Sequence, residues 1–331
     1  MRGTDTTKNK PHLSYLRSIG IAATLLSPFG VVNAQAPDRS ILEEIVVTAQ
    51  RREENIQDVP LSVTAVRGEQ LDSLFSGGED VRALAARVPS LYAESSNGRL
   101  APRFYMRGLG NSDFDLAASQ SVSVIVDEVV QENVILKSFP LFDLDRVEVL
   151  RGPQGSLFGR NTPAGIIKFE TRKPTAETDG YASATVGSLG TLNFEGAIGG
   201  SLNESETLLA RLSVLSQNRD DWIDNGFTGE SEAIGGFNEN AFRLQVMTLA
   251  SDSFSALFNL HGRDLSNGTA SIFRANALST GSNELNQNFD RDRVYFDAGE
   301  NNPQEAKALG GSVRLDFDFG NELTLTSITA Y

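Results

Sequence analysis

The sequence predicts a mixed α/β domain lodged inside a transmembrane antiparallel β-barrel, a wall of roughly 22 strands when complete, of which about seven are present here. Three features predict it. An export signal opens the chain, and nothing after it approaches a membrane-spanning helix. Residues 58–174 mix helical and strand spacing over the length of one compact domain. From residue 180 onward, apolar and polar residues alternate with period two in segment after segment.

Lys8, Lys10 and Arg17 form a positive n-region, Ile19 to Val32 is mostly apolar, and Val32-Asn33-Ala34 supplies small residues for cleavage. Residues 1–34 therefore read as a signal peptide cut before Gln35. Ser27-Pro28 interrupts the apolar stretch, which is shorter than the ~20 residues of a transmembrane helix. The exported chain either stays soluble or crosses a membrane as strands. With no Cys and only His12 and His261, disulfides, thiolate metal sites, a Cys nucleophile and nearly all imidazole chemistry are excluded. A formal charge of −14 repels nucleic acid phosphates. No catalytic residue, cofactor or metal site is expected.

Residues 35–57 form a lead and linker. Within it, Glu43-Glu44-Ile45-Val46-Val47-Thr48-Ala49 is a β-prone run, and Gln50 to Asp58 is charged and expected to be mobile. The run suits either a segment that adds itself to a partner's sheet edge or an ordinary edge strand of the next domain.

In residues 58–174, Leu61, Val63 and Ala65 alternate with Ser62 and Thr64 as a half-buried strand. Glu69 to Phe75 and Glu79 to Val88 have helical spacing, the second stopped by Pro89. Val122 to Val130, Arg146 to Leu150 and Gly165 to Thr171 are further strands.

In residues 180–331, alternating segments start at Ala182, Leu192, Ala210, Phe242, Phe254 and Val313, and a weaker seventh runs from Glu322 to Tyr331. Period two puts the apolar side chains on one face and charges such as Arg211, Arg243 and Arg263 on the other. A soluble sandwich would bury the apolar face; a barrel turns it to lipid. The connections favour the barrel, because short ones (199–207, 250–253, 320–322) alternate with long polar ones (219–240, 264–310), with one exception at 188–191. Seven strands cannot close around a domain of this size, so the sequence is expected to stop inside the barrel at Tyr331. A natural short chain would leave open strand edges in lipid.

One stretch carries a family resemblance: Leu144-Asp145-Arg146-Val147-Glu148-Val149-Leu150-Arg151-Gly152-Pro153-Gln154-Gly155-Ser156-Leu157-Phe158-Gly159-Arg160-Asn161-Thr162-Pro163-Ala164-Gly165. It resembles the plug-domain signature of TonB-dependent outer-membrane receptors. Asp58 to Val63, Tyr105-Met106-Arg107-Gly108-Leu109-Gly110 and Val124 to Val129 agree in order, with Glu128 where the family usually has Gly. The resemblance implies that Glu43 to Ala49 is the TonB box, that 58–174 is the plug, and that Arg107, Gly108, Arg146, Glu148, Arg151, Gly152, Pro153, Gly155, Gly159, Arg160, Asn161 and Gly165 are its motif residues. Glycines and prolines there suit tight turns with unusual φ. Arg146, Arg151 and Arg160 suit either of two roles, partners of lumen carboxylates such as Glu195 or solvated surface charges.

Other motifs are incomplete. Gly155 to Arg160 lacks the Lys-Ser/Thr ending of a phosphate loop, and Gly108-Leu109-Gly110 lacks the third glycine of a dinucleotide site. Asp221 to Glu232 nearly fits a calcium loop, but Ile223 occupies a ligand position, which favours an acidic outer loop.

The function implied by the resemblance is TonB-dependent import across the bacterial outer membrane, with an iron–siderophore complex as the default ligand and cobalamin, oligosaccharides or aromatic compounds as alternatives. Expected partners are TonB with its inner-membrane energising complex, the ligand, and outer-membrane lipid. Trp222, Phe227, Phe237, Phe273 and Arg274 are candidate ligand contacts. A passive porin, a soluble periplasmic binding module and an inactive fragment are the rivals. An enzyme is the least favoured class.

Overall fold

A computed structural model describes residues 45–111, 113, 115, 117–269, 279, 281–287, 289–295, 303–321 and 323–331. The expected signal peptide, Glu43 and Glu44 of the expected TonB box, and the candidates Phe273 and Arg274 lie outside the described residues.

The chain begins with β1 (Val46–Val47) paired antiparallel to β2 (Glu54–Asn55). Then come β3 (Ser62–Arg67), α1 (Glu69–Phe75), β4 (Leu91–Glu94), β5 (Arg103–Met106), β6 (Val122–Val126), β7 (Val129–Val130), β8 (Leu144–Arg151), α2 (Gly155–Phe158) and β9 (Gly165–Thr171). Five of the strands form one sheet in the order β3-β8-β9-β6-β7, in which β6 and β9 run parallel. Every residue of β9 is buried, because both faces of the sheet are covered. On one face Ile167 and Phe169 meet Leu71 and Phe75 of α1. On the other, Ile166 and Leu150 pack with Phe158 of α2 and with Val47 and Ala49.

Two expected elements differ. Val81–Ala86 is a 3₁₀ helix rather than a ten-residue α-helix. Its N-cap Asp80 accepts from the Arg82 amide, and Pro89 bars the preceding residue from α geometry, leaving room for only six residues. The single strand expected over Val122 to Val130 is a hairpin, β6 and β7, because Asp127 (φ +46°) and Glu128 (φ +69°) turn the chain in the left-handed region.

The second half is a seven-stranded antiparallel sheet: β10 (Asp179–Val186), β11 (Leu192–Ser201), β12 (Leu208–Arg219), β15 (Phe237–Ser251), β16 (Phe254–Gly268), β18 (Gln304–Asp318) and β19 (Thr324–Ala330), neighbours in that order. On the face turned away from the mixed domain, Phe194, Ile198, Leu212, Leu244, Phe258 and Leu260 are exposed. On the other face Asn193, Arg211, Glu239, Arg243, Gln245 and Arg263 are buried against that domain. The period-two pattern thus gives the orientation correctly. The connection between β12 and β15 carries β13 (Ile223–Asn225) and β14 (Glu230–Ile234), and the one between β16 and β18 carries β17 (Arg293–Val294). β13 pairs with β17 in parallel, and Ile223, Ile234 and Val294 form a small core with Trp222.

Candidate functional site

Ile45–Ala49, the described part of the expected TonB box, is packed into the mixed domain. Val47 and Ala49 are fully buried in the second apolar cluster, and β1 pairs with β2 inside the stretch expected to be mobile. In the described conformation the run is packed on the domain but is not an edge of its five-stranded sheet, since β1 and β2 form a two-stranded sheet of their own.

Beneath this strand lies a polar cluster. Glu148 and Lys168 are cross-strand partners on β8 and β9, and both are fully buried. Glu148 Oε1 accepts from the Thr48 amide (2.8 Å), the Thr48 hydroxyl (3.1 Å) and Arg146 Nε (2.7 Å). Lys168 Nζ donates to Thr48 Oγ1 (2.5 Å) and pairs with Glu170 (2.8 Å) and Glu128. Burial alone would depress the Lys168 ammonium, but Glu170 and Glu128 together hold it above the ordinary lysine value. It therefore stays charged at neutral pH. Thr48, Arg146 and Glu170 border a cleft of about 1210 Å³ whose other wall includes Asp252, Arg314 and Asp316, at the short-turn end of the large sheet.

The pairing of plug arginines with lumen carboxylates, one of the two roles open to them, is corrected. Arg146 pairs with Asp145 and Glu148, and Arg160 with Glu132 (3.0 Å). Arg151 donates to the Ser62 hydroxyl and the Pro89 carbonyl. Glu195 instead accepts from the Asp143 amide at 3.0 Å and from the Tyr181 hydroxyl. The reason is local: residues two apart on a strand share a face, so Arg146 meets Glu148 before any wall residue.

The contacts that do tie the domain to the wall come from elsewhere. Asp143, with no side-chain exposure, accepts from Arg211 Nη2 (2.7 Å) and Nε (2.8 Å) of β12 and from Ser213, while Arg211 also holds Asp179. Burial would raise the Asp143 carboxyl, but hydrogen bonds from Arg211 and Ser213 and the Arg211 charge bring it below the usual value. Nearer the long-loop end, Arg99 pairs with Glu239 (3.0 Å) and stacks over Phe237 (3.8 Å), and Glu239 also holds Arg263 (2.7 Å). Arg219 donates to the Gly77 carbonyl, and Gly98 sits against the Thr269 carbonyl. The period-two pattern marked Arg211 and Arg263 as facing inward; nothing in it named their partners.

The other motif residues shape turns. Arg107 (φ +51°), Gly108, Gly152, Gly159, Asn161 (φ +63°) and Gly165 all adopt positive φ, Pro153 is exposed, and Gly155 starts α2. Asn161 donates to Glu132 at 3.1 Å. Among the candidate ligand contacts, Phe227 is exposed, Trp222 packs in the outer three-stranded sheet against Gly235, and Phe237 is buried beneath Arg99 with Leu100 and Leu265. Within Asp221 to Glu232, Asp224 accepts from the Glu232 amide and pairs with Arg293, so its oxygens face protein partners.

Residues 55–166 match the family model described as the TonB-dependent receptor plug domain. The chain is 23% identical over 286 residues to the vitamin B12 transporter BtuB of Photobacterium profundum, covering 79% of this chain and 45% of that one. It is 28% identical over 215 residues to the pesticin receptor of Yersinia pestis, covering 64% and 30%. The chain thus spans less than half the length of these relatives. In fold it is similar to the ferric yersiniabactin uptake receptor FyuA of Yersinia pestis, with a TM-score of 0.68 at 20% identity over 82% of this chain and 40% of that one. Plug signature, seven alternating strands and matching fold agree: residues 55–166 carry a plug domain of the TonB-dependent receptor kind, packed on antiparallel strands in a plug-and-barrel fold similar to that of the receptors named above.

Proposed function

We propose that the chain serves TonB-dependent import across the bacterial outer membrane, with an iron–siderophore complex as cargo. The observation that carries the reading is polarity. The Ile45–Ala49 strand borders a cleft with the short turns of the wall, whereas the plug tips at Gly77 and Gly98 meet residues at the long-loop end. A receptor needs that arrangement, with ligand capture on the outside and a graspable strand in the periplasm. In this reading residues 1–34 export the chain and 35–57 present the TonB box. Residues 58–174 are the plug, and 180–331 are wall strands whose apolar face meets lipid. Ile45–Ala49, released, adds to a TonB sheet edge through backbone hydrogen bonds. No covalent bond is made or broken.

Phe227, and Phe273 and Arg274 beyond it, are proposed as ligand contacts in the outer loops; Trp222 and Phe237 support their shape. Cobalamin is a second reading, favoured by the match to a vitamin B12 transporter. The test is uptake of labelled ferric siderophores and cobalamin by cells with and without TonB. Uptake that is unchanged without TonB refutes the reading, and the ligand whose uptake vanishes identifies the cargo.

A further inference from the structure

A partner strand that takes hold of Ile45–Ala49 has to extract it, and apolar packing is only part of what resists. Within the segment, Thr48 is the residue that reaches charge: its amide and hydroxyl both donate to Glu148 Oε1, and its hydroxyl accepts from Lys168 Nζ. Removing the segment strips two donors from a buried carboxylate, which keeps only Arg146 and Lys168 beside it, and one acceptor from a buried ammonium, which keeps Glu170 and Glu128; hydrogen bonds to buried charges are costly to lose.

The cluster has an unusual third member. Glu128 occupies a left-handed position, φ +69°, that glycine would adopt without strain. From there its carboxylate pairs with Lys168 and lies 3.8 Å from Arg51, just past the segment. Arg51 in turn donates to the Leu157 carbonyl and stacks on Phe158. The segment is thus pinned at Thr48 and again at Arg51, by charges that converge on Glu128 and Lys168. One of its two edges is also occupied, since β1 already pairs with β2.

We propose that Thr48, Glu148, Lys168 and Glu128 form a latch that keeps Ile45–Ala49 closed in the plug and sets how readily the segment is surrendered to a partner strand. The partner's identity as TonB rests on the function proposed above; the latch is a property of the plug and is read without a partner.

The chain contains no cysteine, so a nitroxide on a single introduced Cys reports one position. The receptor in outer-membrane vesicles is labelled at Ile45→Cys, with a separate Ser73→Cys protein reporting on the fold of the plug. Thr48→Val keeps shape and removes the hydroxyl. It raises the ratio of mobile to immobile label at residue 45 about tenfold, the worth of roughly one net buried hydrogen bond. Glu128→Gly shifts it in the same direction, whereas a role confined to the turn predicts a tighter plug once the strain is gone. Thr64→Val, on the opposite face of the same sheet, changes nothing. The latch is overturned if residue 45 stays as immobile in Thr48→Val and Glu128→Gly as in the wild type, or if Ser73 loosens along with it. Adding the purified periplasmic domain of TonB separates the two ideas. Tighter binding to the variants supports both. No binding to any form, with residue 45 released, sinks the TonB reading and leaves the latch. Equal binding to all forms despite different release sinks the latch.

Discussion

Replacing Asp143 with Asn should loosen the plug from the wall. The carboxylate is fully buried and receives three donors from β12: two guanidinium nitrogens of Arg211 at 2.7 and 2.8 Å, and the Ser213 hydroxyl. Breaking a buried pair by neutralising one partner costs about 3–5 kcal/mol, because the other charge is left uncompensated. Here Arg211 keeps the half-exposed Asp179 at 2.8 Å, so the cost falls to about 3 kcal/mol. That is roughly a 150-fold shift toward the undocked plug. A fluorophore on Ser73→Cys, followed through a urea titration, reports docking. Arg211→Met alone and combined with Asp143→Asn completes a double-mutant cycle with an expected coupling near 2 kcal/mol. The sign of the pH dependence follows from the lowered Asp143 carboxyl. Its contribution is full above the unfolded value of 3.8 and is lost as pH falls through the lower folded value. Docking should be flat through neutral pH and fail only in strong acid, and Asp143→Asn should flatten that acid limb. A cost below about 1 kcal/mol with no measurable coupling would refute the assignment of this pair as a clamp.

Three further outcomes follow. Lys137 is buried in the plug with its ammonium pushed down to about 8 by desolvation, so the unfolded chain binds more protons between about 8 and 10.5. Plug stability should rise across that window, and Lys137→Met should abolish the rise and stabilise the plug at pH 7 by roughly 2–3 kcal/mol, measured by urea unfolding at a series of pH values. Gly165→Ala should cost on the order of 4 kcal/mol, since a Cβ at φ +148° would sit 2.2 Å from the Leu150 carbonyl oxygen. Gly152→Ala, at φ +105° with open space around it, should cost only about 1–3 kcal/mol, and protease resistance of the plug should rank the two. Leu244→Arg on the outward face should weaken membrane integration by about 2–4 kcal/mol, whereas Ser183→Arg on the opposite face should not, as detergent fractionation would show.

The wall was legible because its physics is one-dimensional: a period of two fixes which residue faces which side whatever the partner. Leu192, Phe194 and Ile198 read as one face and lie on one face. Helix α1 was legible for a similar reason, since Leu71 and Phe75 recur four apart and both are buried. Failures occurred where a residue's conformation is decided by something distant in sequence. Asp127 and Glu128 break a β-rich run without a glycine, because Thr171 bonds Asp127 and Lys168 holds Glu128. Arg146 is a cation with no partner evident from spacing across the lumen, and Glu148 on its own strand supplies one. Lys168 stands in an otherwise apolar run, a signal that could have been followed, but its partner Thr48 lies 120 residues earlier. The pairing of β13 with β17 joins loops about 70 residues apart, beyond the reach of any local pattern.

That last pairing constrains how the protein's surface can vary. Parallel neighbours at Asp224–Asn225 and Arg293–Val294, with the Asp224–Arg293 ion pair, yoke two excursions of the chain that would otherwise drift apart in lineages exposed to different surroundings. A substitution in either arm that spoils the register unseats its counterpart, so natural diversity at this surface should arrive as matched changes on both arms. An antibody raised against one arm would then recognise a shape built by two.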